Sequence, residues 1–73
     1  MTIDDMRPGR HYTIRYDMDS GVEEFKGCRF DGIHTQEFPT GDTAIRGAAV
    51  YRADSTPDHM VFWEKDILEI IPE

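Results

Sequence analysis

Eight residues, His11 to Met18, leave the least freedom in this chain. Tyr12, Ile14, Tyr16 and Met18 take one parity, while His11, Thr13, Arg15 and Asp17 take the other. A period of two puts the first set on one face of an extended strand and the polar set on the opposite face, which a helix does not do. Arg7-Pro8-Gly9 is a turn-type entry, and Asp19-Ser20-Gly21 follows as a hairpin turn in which Gly21 can take positive φ. One half-buried strand therefore runs directly into a second.

Composition extends that reading to the rest of the chain. Ile occurs seven times and Leu once, and with three Val and six Thr the β-branched residues number 16 of 73, which favours strands. The second strand, about Val22 to His34, breaks parity: Phe25 is odd, whereas Cys28 and Phe30 are even, with Gly27 between them. A bulge or sharp bend at Gly27 puts all three on one face and lets a small sheet curl. His34 to Asp42 is rich in turn formers and reads as a loop. Thr43 to Ala53 reads as a third strand, with Ala48 and Val50 on one face and Ala49 and Tyr51 on the other. Asp54-Ser55-Thr56-Pro57-Asp58 is a further turn, leading into Met60 to Trp63.

The C-terminal stretch supports two readings. Val61, Phe62 and Trp63 favour a strand, followed by a short 3-10 turn at Glu64-Lys65-Asp66 and a last strand through Leu68 to Ile71. Thr56-Pro57-Asp58 also fits a helix start, and Met60, Trp63, Ile67 and Ile70 recur at helical spacing. The first reading gives an all-β fold: a single small five-stranded barrel spanning residues 1–73, with a bent second strand and a 3-10 turn before the last strand. The second gives an α+β fold, an antiparallel sheet with a C-terminal helix.

Gly9-Arg10-His11-Tyr12-Thr13-Ile14, Phe25-Lys26-Gly27 and Asp66-Ile67-Leu68-Glu69-Ile70 occur in the order in which small SH3-like barrels, including the Sm-like branch, enter the first strand, bend the second and turn into the last. The chain resembles those barrels at the level of fold from Gly9 to Pro72. The resemblance implies a binding module more than an enzyme. Asp31-Gly32-Ile33-His34-Thr35 lacks the Asn of the Sm-like pattern, and Arg46-Gly47 precedes the third strand instead of the last. No RNA-contact residue is carried over.

Several classes of function are disfavoured. At 73 residues there is no room for a cofactor domain, and no cofactor is expected. Eight basic and fifteen acidic residues give a net charge of −7, which opposes non-specific binding to nucleic acid or an anionic membrane. Cys28 alone cannot form an internal disulfide, which suits a reducing cytoplasm. The acidic start, Met1 to Met6, is unlike a signal peptide, and no apolar run is long enough to span a membrane. Ser20 and Ser55 sit in polar turns without a nucleophile elbow, and Cys28 reads as a small buried hydrophobe. Cys28, His34 and His59 lack metal-ligand spacing, so no metal site is assigned. The first hairpin lacks the calcium-loop pattern, and no Gly-rich loop cradles a phosphate. The expectation is a non-enzymatic protein.

The remaining signals are charge and aromatic residues. Asp17, Asp19, Glu23 and Glu24 crowd the first hairpin, and Glu64, Asp66 and Glu69 make the C-terminal region acidic. Ordered carboxylates of this kind can meet a basic groove on a partner. Phe62 and Trp63 are adjacent, so a strand turns one of them outward as an anchor beside those acids. The leading expectation is a protein-binding module, a small acidic inhibitor or regulator of viral or mobile-element type, acting on a basic surface of a nucleic-acid-handling partner. The alternative is nucleic-acid binding through a local patch of Arg15, Lys26, Arg29, Arg46 and Arg52. A homo-oligomer pairing an exposed edge strand is compatible with both.

Overall fold

The alternating segment forms β1, His11–Met18, and turns through Gly21, at φ 132°, into the long β2, Gly21–Gln36. These are followed by β3, Ile45–Arg52, then β4, Asp58–Trp63, and β5, Ile67–Pro72. The computed structural model describes residues 1–41, 43–52 and 58–73. The five strands form one antiparallel sheet in the order β4-β3-β2-β1-β5. The fold is all-β, as read from the alternation, and a 3-10 turn at Glu64–Asp66 joins β4 to β5. The C-terminal helix does not form. The turn expected at Asp54 to Asp58 lies largely outside the described residues.

The sheet bends without closing into a barrel. Tyr12 pairs with Cys28, but Ile14 pairs with Phe25, so Lys26 and Gly27 together oppose Thr13. Gly27 has φ 67°, a conformation that a side chain makes costly. This is the bulge expected from the parity break, and it turns Phe25, Cys28 and Phe30 towards the same interior. A second bulge was not legible: Phe30 pairs with Val50 and Gly32 with Ala49, leaving Asp31 as the extra residue. The edges, β4 and β5, share no ladder. At their junction the Trp63 backbone N–H donates to the Tyr16 hydroxyl at 3.1 Å, so β1 fastens the junction from within.

Ile14, Cys28, Val50 and Phe62 are fully enclosed, and Tyr12, Phe30, Ala48 and Ile70 pack with them. Two N-terminal residues complete this core. Ile3 and Met6 are buried, delivered by a 3-10 turn at Ile3–Asp5, where the Asp5 carboxylate accepts the Thr2 N–H at 2.9 Å. The spacing of Ile3 and Met6 over Thr2-Ile3-Asp4-Asp5 was the available signal for this turn. A chain this short has few other apolar residues to cover that side of the core.

Glu73 closes the bulge. Its carboxylate accepts the Gly27 N–H at 2.7 Å and the Thr13 hydroxyl at 2.8 Å. A bulge leaves backbone groups outside the ladder, and here a side chain satisfies the donor. The Gly27 N–H is the largest of the influences that hold the Glu73 pKa below its ordinary value, with Thr13 next. Glu73 is therefore a structural carboxylate, although its charge alone places it with the acidic surface.

Candidate binding surface

The outward face of the β1–β2 ribbon carries charge of opposite sign at its two ends. Outward neighbours are His11 with Arg29, then Arg15 with Glu24, then Asp17 with Val22. The acidic end is the hairpin tip. Asp17, Asp19, Glu23 and Glu24 are all exposed there, and among the described residues none of them has an ion-pair partner.

Pairing of β1 with β5 brings part of the C-terminal acid set to this end. Glu69 lies opposite Arg15, with their charged groups 3.5 Å apart. Asp66 lies beside Tyr16, whose pKa is raised first by burial, and Asp66 adds to that effect. These acids of the C-terminal region thus border the hairpin, but Glu69 is paired with Arg15 and Asp66 with Lys65, 3.8 Å away.

The other predicted contacts are placed differently. Phe62 is only 1% exposed and packs against the rings of Tyr16 and Phe25, each 5.0 Å away; it is a core residue and cannot be a partner anchor. Strand alternation gives the outward place to Trp63, which is half-buried. Trp63 does not stand beside the acidic tip. It covers Gly47 and faces His34, ring centres 5.9 Å apart, on the outer face of β2, β3 and β4. Glu64 is engaged by Arg46 at 3.0 Å, and the same guanidinium grips Asp4 through two bonds of 3.1 and 2.9 Å. That fork lowers the Asp4 pKa, chiefly by its hydrogen bonds, and raises that of Arg46. The clamp fastens the N-terminal turn to β3 and to the β4–β5 junction.

The five cations of the nucleic-acid reading do not assemble. Arg15 stands among carboxylates, Arg46 is in its clamp, and Arg52 lies over the Phe25 ring at 5.3 Å. Lys26 is exposed at the bulge. Arg29 lies over the Tyr51 ring at 5.1 Å, on the outer face.

A different row was missed. His11, Arg29, Tyr51 and His59 are successive cross-strand neighbours on β1, β2, β3 and β4. Tyr51 and His59 are 4.8 Å apart between ring centres, and His59 approaches Asp31 at 3.8 Å. Arg7 and Arg10 stand close by, in a turn fixed by the Gly9 N–H donating to the Phe30 carbonyl and the Phe30 N–H to the Arg10 carbonyl, both at 2.9 Å. Only register reveals this row, because its members lie far apart in sequence.

Cys28 is enclosed, with its thiol 3.5 Å from the Phe25 carbonyl, while His34 and His59 are exposed. Among the described residues no three His, Cys, Asp or Glu side chains gather as a metal-holding group, and no helix is long and apolar enough to cross a membrane. No family model, no curated protein and no solved structure matches the chain. Fold and surface together define a small, open, five-stranded β domain with an acidic hairpin.

Proposed function

We propose that this chain is a non-enzymatic protein-binding module on an SH3-like scaffold, a small acidic inhibitor or regulator of viral or mobile-element type that works in the cytoplasm. It engages a basic surface of a nucleic-acid-handling partner. The observation that carries the reading is the hairpin tip, where Asp17, Asp19, Glu23 and Glu24 are exposed and have no ion pair among the described residues. Glu69 on β5, paired with Arg15, and Asp66 in the 3-10 turn, paired with Lys65, border that tip but are already engaged. Carboxylates already engaged inside the molecule, such as Glu73 and Glu64, have less to offer a partner. Carboxylates presented on an exposed two-strand tip supply charge for steering and for discrimination between partners.

The test is capture of partners by the tagged protein from nuclease-treated lysate of its cell of origin, beside the double variant Glu23→Lys/Glu24→Lys. The expected result is a basic protein that is retained after nuclease treatment, released by salt and lost with the variant. Capture that disappears with nuclease, or that the variant retains in full, would overturn the proposal.

A further inference from the structure

We infer that the outward face of the β1–β2 ribbon is a docking surface for a second copy of this chain, arranged antiparallel about a two-fold axis. One end of that face carries His11 and Arg29, beside the Glu73 carboxylate that Gly27 and Thr13 already hold, and the other carries Asp17 and Glu24, with Arg15 between. Arg7 and Arg10 add exposed cations at the first end, and neither has an ion pair among the described residues. Six residues of extended strand separate the ends by about 20 Å. The opposite charges therefore cannot meet within one chain.

Rotation of a second copy by half a turn about an axis through the middle of the ribbon brings Arg29 of each copy to Asp17 and Glu24 of the other. Such a contact is self-complementary, so each ion pair occurs twice and the assembly closes as a dimer instead of extending into fibres. The same face carries apolar surface for the contact. Val22, beside Asp17, is 52% exposed, and Ile71, beside Thr13, is 38% exposed. The net charge of −7 on each copy opposes approach at long range, but the Debye length is about 10 Å at 0.1 M salt, which screens distant charges more than pairs in contact. A ribbon-sized contact falls below the standard interface area, so the dimer is weak. A basic partner of the acidic tip would compete with it.

The full chain is examined by sedimentation velocity and small-angle scattering over a range of concentration, without any partner. At about 0.1 M salt the mass rises to about twice that of the monomer, and at about 1 M salt it returns towards the monomer. Asp17→Lys/Glu24→Lys and Arg29→Glu, all at exposed positions, each leave a monomer with an unchanged circular dichroism spectrum. An equimolar mixture of the two variants restores the dimer, because one contact is then the native pair and the other its charge-reversed counterpart, and both are complementary. A monomer at every concentration overturns the inference. So does a dimer that ignores salt and both variants, which would place the contact on an edge strand. A labelled single-stranded oligonucleotide that binds the monomer and is lost with Arg29→Glu would also overturn it, by giving the cationic end a different occupant. Partner capture is scored separately, so failure here leaves the proposed function standing.

Discussion

Gly47 gives the sharpest test of how closely β3 and β4 are fitted. A methyl group there would lie 2.7 Å from Val61 Cγ1, 2.8 Å from the Phe62 carbonyl oxygen and 3.1 Å from Trp63 Cε3. Carbon atoms in ordinary contact sit about 3.5–4.0 Å apart. The two side chains can turn aside, but the carbonyl oxygen is backbone and moves only if β4 shifts against β3. Overpacking of this kind costs about 1–3 kcal/mol. A 73-residue chain has about 4–11 kcal/mol in total by per-residue scaling, so Gly47→Ala removes a large share. At about 4–8 °C per kcal/mol for a domain of this size, a 2 kcal/mol loss lowers Tm by about 8–16 °C. The assay is thermal and urea unfolding followed by circular dichroism, with Trp63 emission reporting whether the indole has been pushed into water. Gly32→Ala is the control, because a methyl group there meets nothing within 4 Å. The reasoning is refuted if Gly47→Ala unfolds within about 0.5 kcal/mol of the parent, the scatter of ordinary surface substitutions, or if Gly32→Ala falls equally.

The alternation through β4 makes Phe62→Ala cost about 3–5 kcal/mol, while Trp63→Ala keeps the fold; urea midpoints of the two variants should separate widely, and equal midpoints would mean that the faces are misassigned. Glu73 has its pKa lowered from 4.5 in the folded chain, so its contribution is fully present above that value and is lost as pH falls through the lower folded one. Glu73→Gln therefore narrows the gap in urea midpoint between neutral and acid pH, and an unchanged gap would remove Glu73 from the account. Arg46→Gln releases Asp4 and Glu64, so backbone amide exchange across Ile3–Asp5 should quicken in dilute buffer, and the difference from the parent should shrink in concentrated salt; exchange rates that match the parent would show that the clamp holds nothing.

Much of this fold is legible because its strands are half-buried. Parity alone separates Tyr12, Ile14 and Tyr16 from Thr13 and Arg15, and the break at Phe25-Lys26-Gly27-Cys28 locates the bulge, since only Gly accepts its backbone conformation cheaply. The short 3-10 turn at Glu64–Asp66 follows from the strand formers on either side of it. The parts that escaped depend on what lies across the sheet. Across the bulge at Asp31, Phe30 and Ile33 come to one face, opposite Val50 and Ala48, but Ile33 stands alone before the polar His34-Thr35-Gln36, and Gly32 has no side chain to mark the other face. Ile3 and Met6 lie outside any alternating run, and their burial depends on a side of the core that the strands leave open. The sequence assigns Phe62 and Trp63 one inward and one outward place, and the register of β4 against Gly47 and Ala48 decides which is which.

Charge required the structure most, since formal charge says nothing about whether a group is already engaged. Asp4, Asp5, Glu64 and Glu73 look as acidic in the sequence as Asp17 or Glu24, yet each is bonded to a named donor within the molecule. Subtracting them does not leave a uniform film of charge. Four carboxylates remain on one two-strand tip, while Arg7, Arg10, His11 and the stacked Arg29 gather at the other end of the same ribbon, where the nearby acids Glu73 and Asp31 face Gly27 and His59. Solubility needs net charge and is indifferent to where it sits. A purely solvating set could be dispersed among cations, as Arg15 and Glu69 are, with less mutual repulsion. Separation of the two signs along a ribbon gives the molecule direction, and direction matters only to something that approaches it. The placement of the acids, more than their number, is therefore what the proposed binding function rests on.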